Sequence, residues 1–403
     1  MAERKSVPDI RFAGFGGGWE RRKLGDTFDF LHNNTLSRAE LSLDHGEARN
    51  VHYGDILVKF GEYLDVSKTP LPFISDRHIV DKFKALLLQD GDVIMADTAE
   101  DEAVGKCLEV AGVRGVPVIS GLHTIPMRPT ESFAAGYLGY YLNSDAYRNQ
   151  LLPLMQGIKV MSVSKSAIQD TDVSFPMDMA EQAAIGRYFI QLDGCIMSLQ
   201  HKLTVLVNFK NAMLHKMFPK DGATVPEIRF NGFSGDWEQR KLGQLCAEFN
   251  SGDFIKAEDI VDTGVYPVFG GNGMRGYADR YNHDGDYALI GRQGALCGNM
   301  NYSSGKAYFT EHAVAIKANN FNDTKFLYYC FGVMNLVQYS GQSAQPGLAV
   351  GNLVELETMI PRKAEQERIS HILTAIDSLI TLHQRKLDCL RNIKEACLEK
   401  MFV

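Results

Sequence analysis

The chain has 403 residues, 45% of them hydrophobic and 23% charged, the balance of a globular protein with length for two or more cores. No apolar run approaches the roughly 20 residues of a membrane span, and the opening MAERKSVPDIRF has no signal-peptide-type segment, which points to a cytoplasmic protein. A net charge of −7 argues against a free-standing nucleic-acid binder, because phosphate neutralisation by Lys and Arg supplies most non-specific affinity.

The first element, PDIRFAGFGGGWERRKLGD at 8–26, returns as PEIRFNGFSGDWEQRKLGQ at 226–244, with roughly two-thirds of the paired positions identical. Behind the first copy, GDILVKF (54–60) and GDVIMAD (91–97) place Gly-Asp before an apolar run, which predicts a turn leading into a strand. A His-bearing segment, SGLHTIPMR (120–128), follows, then a short helical piece with Tyr140 and Tyr141, and Gly157.

Pro176 then marks the start of a long helix, since proline is tolerated at a helix start and not inside one. Ile185, Phe189, Leu192, Ile196, Leu199, Leu203, Leu206, Lys210, Met213 and Met217 step by four and three alternately, the seam spacing of a coiled coil. After the second copy of the opening, GDYALIG (285–291), TEHAVAIK (310–317), Tyr328 with Tyr329, and Gly341 repeat the order of the first half. A second helix follows Pro361, with its seam at Ile369, Leu373, Ile376, Ile380, His383, Leu387, Leu390, Lys394, Cys397 and Met401. Each helix is expected to run about 38 residues, or about 57 Å at 1.5 Å per residue. Lys210 and Lys394 share one seam place, where a polar residue either fixes register or snorkels its charge outward.

The chain is therefore one unit written twice, with a middle about 34 residues shorter in the second copy. The expected fold class is α+β. Two mixed, strand-rich α/β domains related by pseudo-twofold symmetry occupy 1–175 and 219–360, and two long antiparallel coiled-coil helices at 176–218 and 361–403 separate them. Seven cysteines (Cys107, Cys195, Cys246, Cys297, Cys330, Cys389 and Cys397) are scattered without a CxxC pair, and are expected to be reduced, mostly buried thiols rather than metal ligands.

The W-E-x-R-K-L-G openings at Trp19–Gly25 and Trp237–Gly243 resemble the specificity subunit of type I restriction-modification systems. So do the phrases SGLHTIPMRP, QGIKV, YPVFGGNGMRGY and GRQGALCG, and the helix starts P-x-x-x-A-E-Q-x-x-I at Pro176 and P-x-x-A-E-Q-x-x-I at Pro361. The resemblance covers essentially the whole chain. It implies two target-recognition domains, each reading one half of a bipartite site in double-stranded DNA through the major groove, with the helices setting an unread gap. It also implies a chain without a catalytic site that binds no cofactor itself. Two methyltransferase (M) subunits would carry S-adenosylmethionine and methylate adenine N6, and restriction (R) subunits in the full complex would bring ATP, Mg and nuclease activity.

Base-reading chemistry nominates residues in each half, since Arg pairs bidentately with guanine and Asn or Gln with adenine. In the second half these are Asn272, Arg275, Arg292 and Gln293, with Gly271 allowing close backbone approach, Tyr277 just beyond, and His312. In the first half Lys59, Thr98, Lys106, His123 and Thr124 stand at the ends of expected strands, with Asp97 and Glu100 beside them. The alternatives are a plain tight turn at GGNG, a surface ion pair at Arg292, and core histidines bonded to backbone carbonyls. Gln156 and Gln342 are candidates for phosphate contact or for ending a helix, and Trp19 and Trp237 for packing anchors. Two rivals remain. A self-contained methyltransferase would need an Asn-Pro-Pro-Tyr-type motif, and the chain has no Pro-Pro; nor has it a phosphate-binding loop. The other is a coiled-coil scaffold presenting two protein- or ligand-binding domains.

Overall fold

A computed structural model describes residues 6–403 apart from 116, 221, 295 and 341–346, so Gly341 and Gln342 lie outside the described residues. The chain divides into two compact units, one of Met1–Gln200 with Arg385–Val403, the other of His201–Gln384. Each holds a strand-rich domain and half of each long helix. The helices are Met179–Lys216 and Lys363–Lys400, 38 residues apiece.

In the first unit a five-stranded sheet runs in the order Phe28–Phe30, Thr124–Pro129, Val93–Ala96, Cys107–Ala111, Tyr63–Asp65. Only the last pairing is parallel. The central strands are buried along their length, which explains why VIMA is apolar throughout and CLEVA is apolar but for the buried Glu109, without the alternation of a half-exposed strand. In the second unit Cys246–Ser251, Ala313–Ala318, Tyr287–Gly291 and Met300–Ser303 form an antiparallel sheet. A second sheet there contains the hairpin Tyr266–Gly270 and Gly273–Ala278.

The expected strand at 54–60 is instead a helix, Tyr53–Val58. The His52 ring accepts the Gly54 N–H at 3.2 Å and caps its first turn, where Asp55 also sits. The Gly-Asp pair thus falls at a helix N-terminus, where an acid is favourable. The other two Gly-Asp runs do enter strands, Val93–Ala96 and Tyr287–Gly291.

The repeated opening makes the same three attachments in each unit. Its strand pairs antiparallel with the strand just before the long helix, Glu20–Lys23 with Asp172–Phe175 and Glu238–Lys241 with Glu357–Ile360. Its tryptophan is buried, Trp19 6.3 Å from Phe402 and Trp237 6.2 Å from Phe218, each phenylalanine lying just past the end of a long helix. Its arginine, Arg11 or Arg229, grips the buried Glu181 or Glu365 in the first turn of a helix. The tryptophans are packing anchors in both units.

Within each unit the helix halves run antiparallel. Phe189 stacks on Phe402 and Asp193 pairs with Lys394 in the first, while Lys210 pairs with Asp377 in the second. Seam residues Leu192, Ile196, Ile376 and Leu387 are buried, and Leu199, Leu203, Leu206, Ile380 and Leu390 half-buried, as an apolar stripe requires. All seven cysteines are free, but the expectation of mostly buried thiols is not met: Cys107, Cys297 and Cys330 are buried, Cys246 and Cys397 half-buried, and Cys195 and Cys389 exposed. No helix among the described residues is long and apolar enough to cross a membrane.

Candidate nucleic-acid interface

In the second unit three turns are drawn together by backbone contacts. The Arg292 N–H donates to the His312 carbonyl at 2.9 Å, joining the segment after Tyr287–Gly291 to the turn before Ala313–Ala318. The hairpin turn at Gly271 and Asn272 lies against both. A side-chain carbon on Gly271 would stand 3.1 Å from the Gln293 and His312 carbonyl oxygens, and one on Gly291 only 2.2 Å from the Gly271 oxygen. Gly273 closes the turn at φ +93°, a conformation side chains rarely adopt. The glycines of GGNG and of GRQG are thus the condition for packing the three turns this closely.

On that base the polar candidates divide. Asn272, Arg275 and Gln293 are exposed, and Arg275 has no ion-pair partner among the described residues. Arg292 is half-buried and donates to the Leu348 carbonyl at 3.3 Å and the Ser251 hydroxyl at 3.2 Å, so its guanidinium braces the turn. Tyr277 exchanges backbone hydrogen bonds with Val261. His312 has Glu311 3.4 Å from its ring. Beneath them the Asn301 Nδ2 is buried without a hydrogen-bond partner among the described residues.

The first unit repeats the central bond: the Asp97 N–H donates to the His123 carbonyl at 3.1 Å, so the two histidines occupy equivalent turns. His123 has φ 55°, the left-handed region that few non-glycine residues adopt. Its ring lies 3.4 Å from Asp97 Oδ1, 3.5 Å from the Thr98 hydroxyl and edge-on to Tyr53. Asp97, Thr98 and His123 therefore form one polar cluster. Thr124 is buried and hydrogen-bonded to Ser120 and the Gly121 carbonyl. Lys106 donates to the Leu57 and Phe60 carbonyls, and burial holds its pKa below that of a free lysine. Lys59 shares buried Asp55 with Arg38, both at 2.9 Å. Gln156 pairs with Ser162 through two backbone bonds, closing the short hairpin that leads into Met161–Ser162.

Three residues outside the sequence candidates complete this region: Tyr53 and the capping His52 at the start of the helix Tyr53–Val58, beside His123, and Arg38, from the 3-10 turn Arg38–Glu40, on Asp55. The only available signal was the His-Tyr pair ahead of a segment read as a strand. Among the described residues no group of three or more His, Cys, Asp or Glu side chains could hold a metal ion.

Each unit thus sets polar turns at the ends of the central strands of a strand-rich domain. Residues 234–392 match the family model described as type I restriction modification DNA specificity domain. The chain is similar to the type I restriction enzyme EcoprrI specificity subunit of Escherichia coli, 42% identical over 163 residues, 38% of this chain and 40% of that one. It is also similar to the putative type I restriction enzyme MjaX specificity subunit of Methanocaldococcus jannaschii, 21% identical over 409 residues, 94% of this chain and 91% of the other. The match spans only 40% of the Escherichia coli relative and 42% of a putative type I restriction enzyme specificity subunit of Haemophilus influenzae. In fold it resembles the crystal structure of a type I restriction-modification system S subunit from M. genitalium, with a TM-score of 0.71 at 15% identity over 98% of this chain and 99% of that one. The family model covers residues 234–392, and the likeness in fold to a specificity subunit extends over 98% of the chain.

Proposed function

We propose that this chain is the non-catalytic specificity subunit of a type I restriction-modification complex, with each domain reading one half of a bipartite site in duplex DNA. The observation that carries this is the convergence of three turns in the second unit, with Asn272, Arg275 and Gln293 exposed above them. These are the residue types that recognise purine edges in the major groove. Asp97, Thr98 and His123 are the matching cluster of the first unit. Lys106, bonded to the Leu57 and Phe60 carbonyls, and Thr124, bonded to Ser120 and the Gly121 carbonyl, hold the neighbouring backbone in place.

The two long helices set the unread gap between half-sites. Methyltransferase subunits bring S-adenosylmethionine and methylate adenine, and restriction subunits bring ATP, Mg and cleavage, all in the cytoplasm. The net charge of −7 fits this division of labour, in which partners supply part of the phosphate contact and this chain supplies base reading. The test is to map N6-methyladenine in cells carrying the chain with its methyltransferase partner and in cells lacking it. A two-part motif methylated only when the chain is present is the expected result; an identical methylation map without it refutes the proposal.

A further inference from the structure

The seam lysines are each part of a three-residue arrangement that occurs twice, once in each unit. In the first, Lys394 of the second helix binds Asp193 Oδ1 of the first helix at 2.7 Å, and the Tyr140 hydroxyl donates to Asp193 Oδ2 at 2.7 Å. In the second, Lys210 of the first helix binds Asp377 Oδ1 of the second helix at 2.6 Å, and the Tyr329 hydroxyl donates to Asp377 Oδ2 at 2.7 Å. The same carboxylate oxygens take the same partners. Each ammonium also stands over its tyrosine ring, at 5.5 Å and 5.8 Å from the centroid.

The tyrosines come from the short domain helices Tyr137–Tyr141 and Thr324–Val333, so each aspartate is held at once by the opposite long helix and by the domain body. An apolar seam is non-directional and tolerates sliding by a turn with little change in buried area. A lysine that must meet one aspartate, which must in turn meet one tyrosine, does not. The surroundings of the two triads differ. Glu62 adds a second carboxylate 2.7 Å from Lys394, whereas Lys325, over the Tyr302 and Tyr328 rings, brings a second ammonium near Tyr329.

We propose that these Lys–Asp–Tyr triads are positioning residues for DNA recognition: they lock the axial register of the two long helices against each domain and thereby fix a single gap length between the half-sites. This rests on the proposed function above. Sliding by one helical turn moves a helix by about 5.4 Å, against about 3.4 Å per base-pair step, so loss of a lock adds a gap differing by about one or two base pairs.

The test uses the full chain with its methyltransferase partner on DNA carrying the two half-sites at every gap length, read by N6-methyladenine sequencing. The wild-type chain is expected to methylate one gap. Lys210→Asp is expected to methylate additional gaps with both half-sites unchanged, and Lys210→Asp combined with Asp377→Lys to return to one. Lys394→Met, which strands two carboxylates, is expected to relax the gap further than Lys210→Met. A Lys210→Asp chain that keeps one unchanged gap, or a swapped pair no more selective than the single variant, overturns the lock. Should Lys210→Asp or Lys394→Met fail to fold, Tyr140→Phe with Tyr329→Phe, which removes only two hydroxyls, decides: a gap as strict as wild type overturns the lock. A wild-type chain that directs methylation to no two-part site refutes the underlying function instead.

Discussion

Arg11 holds Glu181 with two N–H···O bonds of 2.6 and 2.7 Å, although the two residues lie 170 positions apart. Arg229 and Glu365 repeat it at 2.7 Å for both bonds. Both arginines also donate to backbone carbonyls of the glycine-rich loop that follows them, Gly16 and Gly17 or Ser234 and Gly235. The repeated opening is therefore a strap that ties the start of each domain to the start of its long helix, and the glutamate of the helix motif is its anchor.

Removing one arginine leaves a glutamate with 1% or 2% side-chain exposure unpaired. Breaking a buried bidentate pair this way costs about 3 kcal/mol. Arg11→Ala is expected to lower the urea midpoint of the first unit and Arg229→Ala that of the second. Denaturation followed by fluorescence of Trp19 or Trp237, with the other tryptophan replaced by Phe, separates the two. Equal loss in both units from one substitution would contradict the local role.

Glu109 gives the first unit a pH dependence. Burial pushes its carboxyl from 4.5 up to about 7, only partly offset by hydrogen bonds from the Gly136 and Gly139 N–H groups. The folded chain therefore holds a proton that the unfolded chain releases near 4.5, so stability is full below that pH and falls as pH rises through about 7. The decline amounts to about 3 kcal/mol at 1.36 kcal/mol per pH unit. Urea titrations at pH 5 and pH 7.5 should show the wild type losing stability between them and Glu109→Gln losing much less. Parallel profiles would remove Glu109 as the cause.

Arg275→Ala and Asn272→Ala are expected to weaken cognate DNA binding by the methyltransferase complex by about 1–3 kcal/mol each and to relax sequence preference at one position of one half-site. Neither change should alter the melting temperature, because both side chains are exposed. Lys106→Ala is expected to do the reverse, lowering stability through the lost bonds to Leu57 and Phe60. Gel-shift titration beside thermal melting distinguishes the two classes.

Gly291→Ala sets a carbon 2.2 Å from the Gly271 carbonyl oxygen, which no side-chain rotation relieves. The turns bearing Asn272 and Gln293 must then separate. Methylation should lose discrimination in one half-site while the other half stays intact. Relaxation of both halves would show that the turn does not act within its own domain.

The helices were legible because a four-and-three seam, sustained from Ile185 to Met217 and again from Ile369 to Met401, matches the period of a helix and not the two-residue period of a strand. Both run 38 residues. The order of strands, His-bearing turn and paired tyrosines was legible because it, too, occurs twice. What one copy cannot reveal is long-range pairing: Lys210 stands out as a polar seam residue, but its partners Asp377 and Tyr329 lie far along the chain. The helix at Tyr53–Val58 was misread because Gly-Asp before an apolar run opens strands and helices alike, and the His52 cap decides between them. Lys106 and Thr124 do stand at strand ends, as their places in the sequence suggest, but the internal bonds they make there involve residues that no local pattern reveals. Arg292 sits between, at the turn yet spent on bracing it.

The most direct measurement exchanges residues 26–170 for those of a relative with a different target and maps N6-methyladenine in cells with the partner methyltransferase. The new motif should change in one half only, keeping the other half and the gap. A motif altered in both halves, or a changed gap with both halves intact, would contradict two independent readers on a shared helical frame.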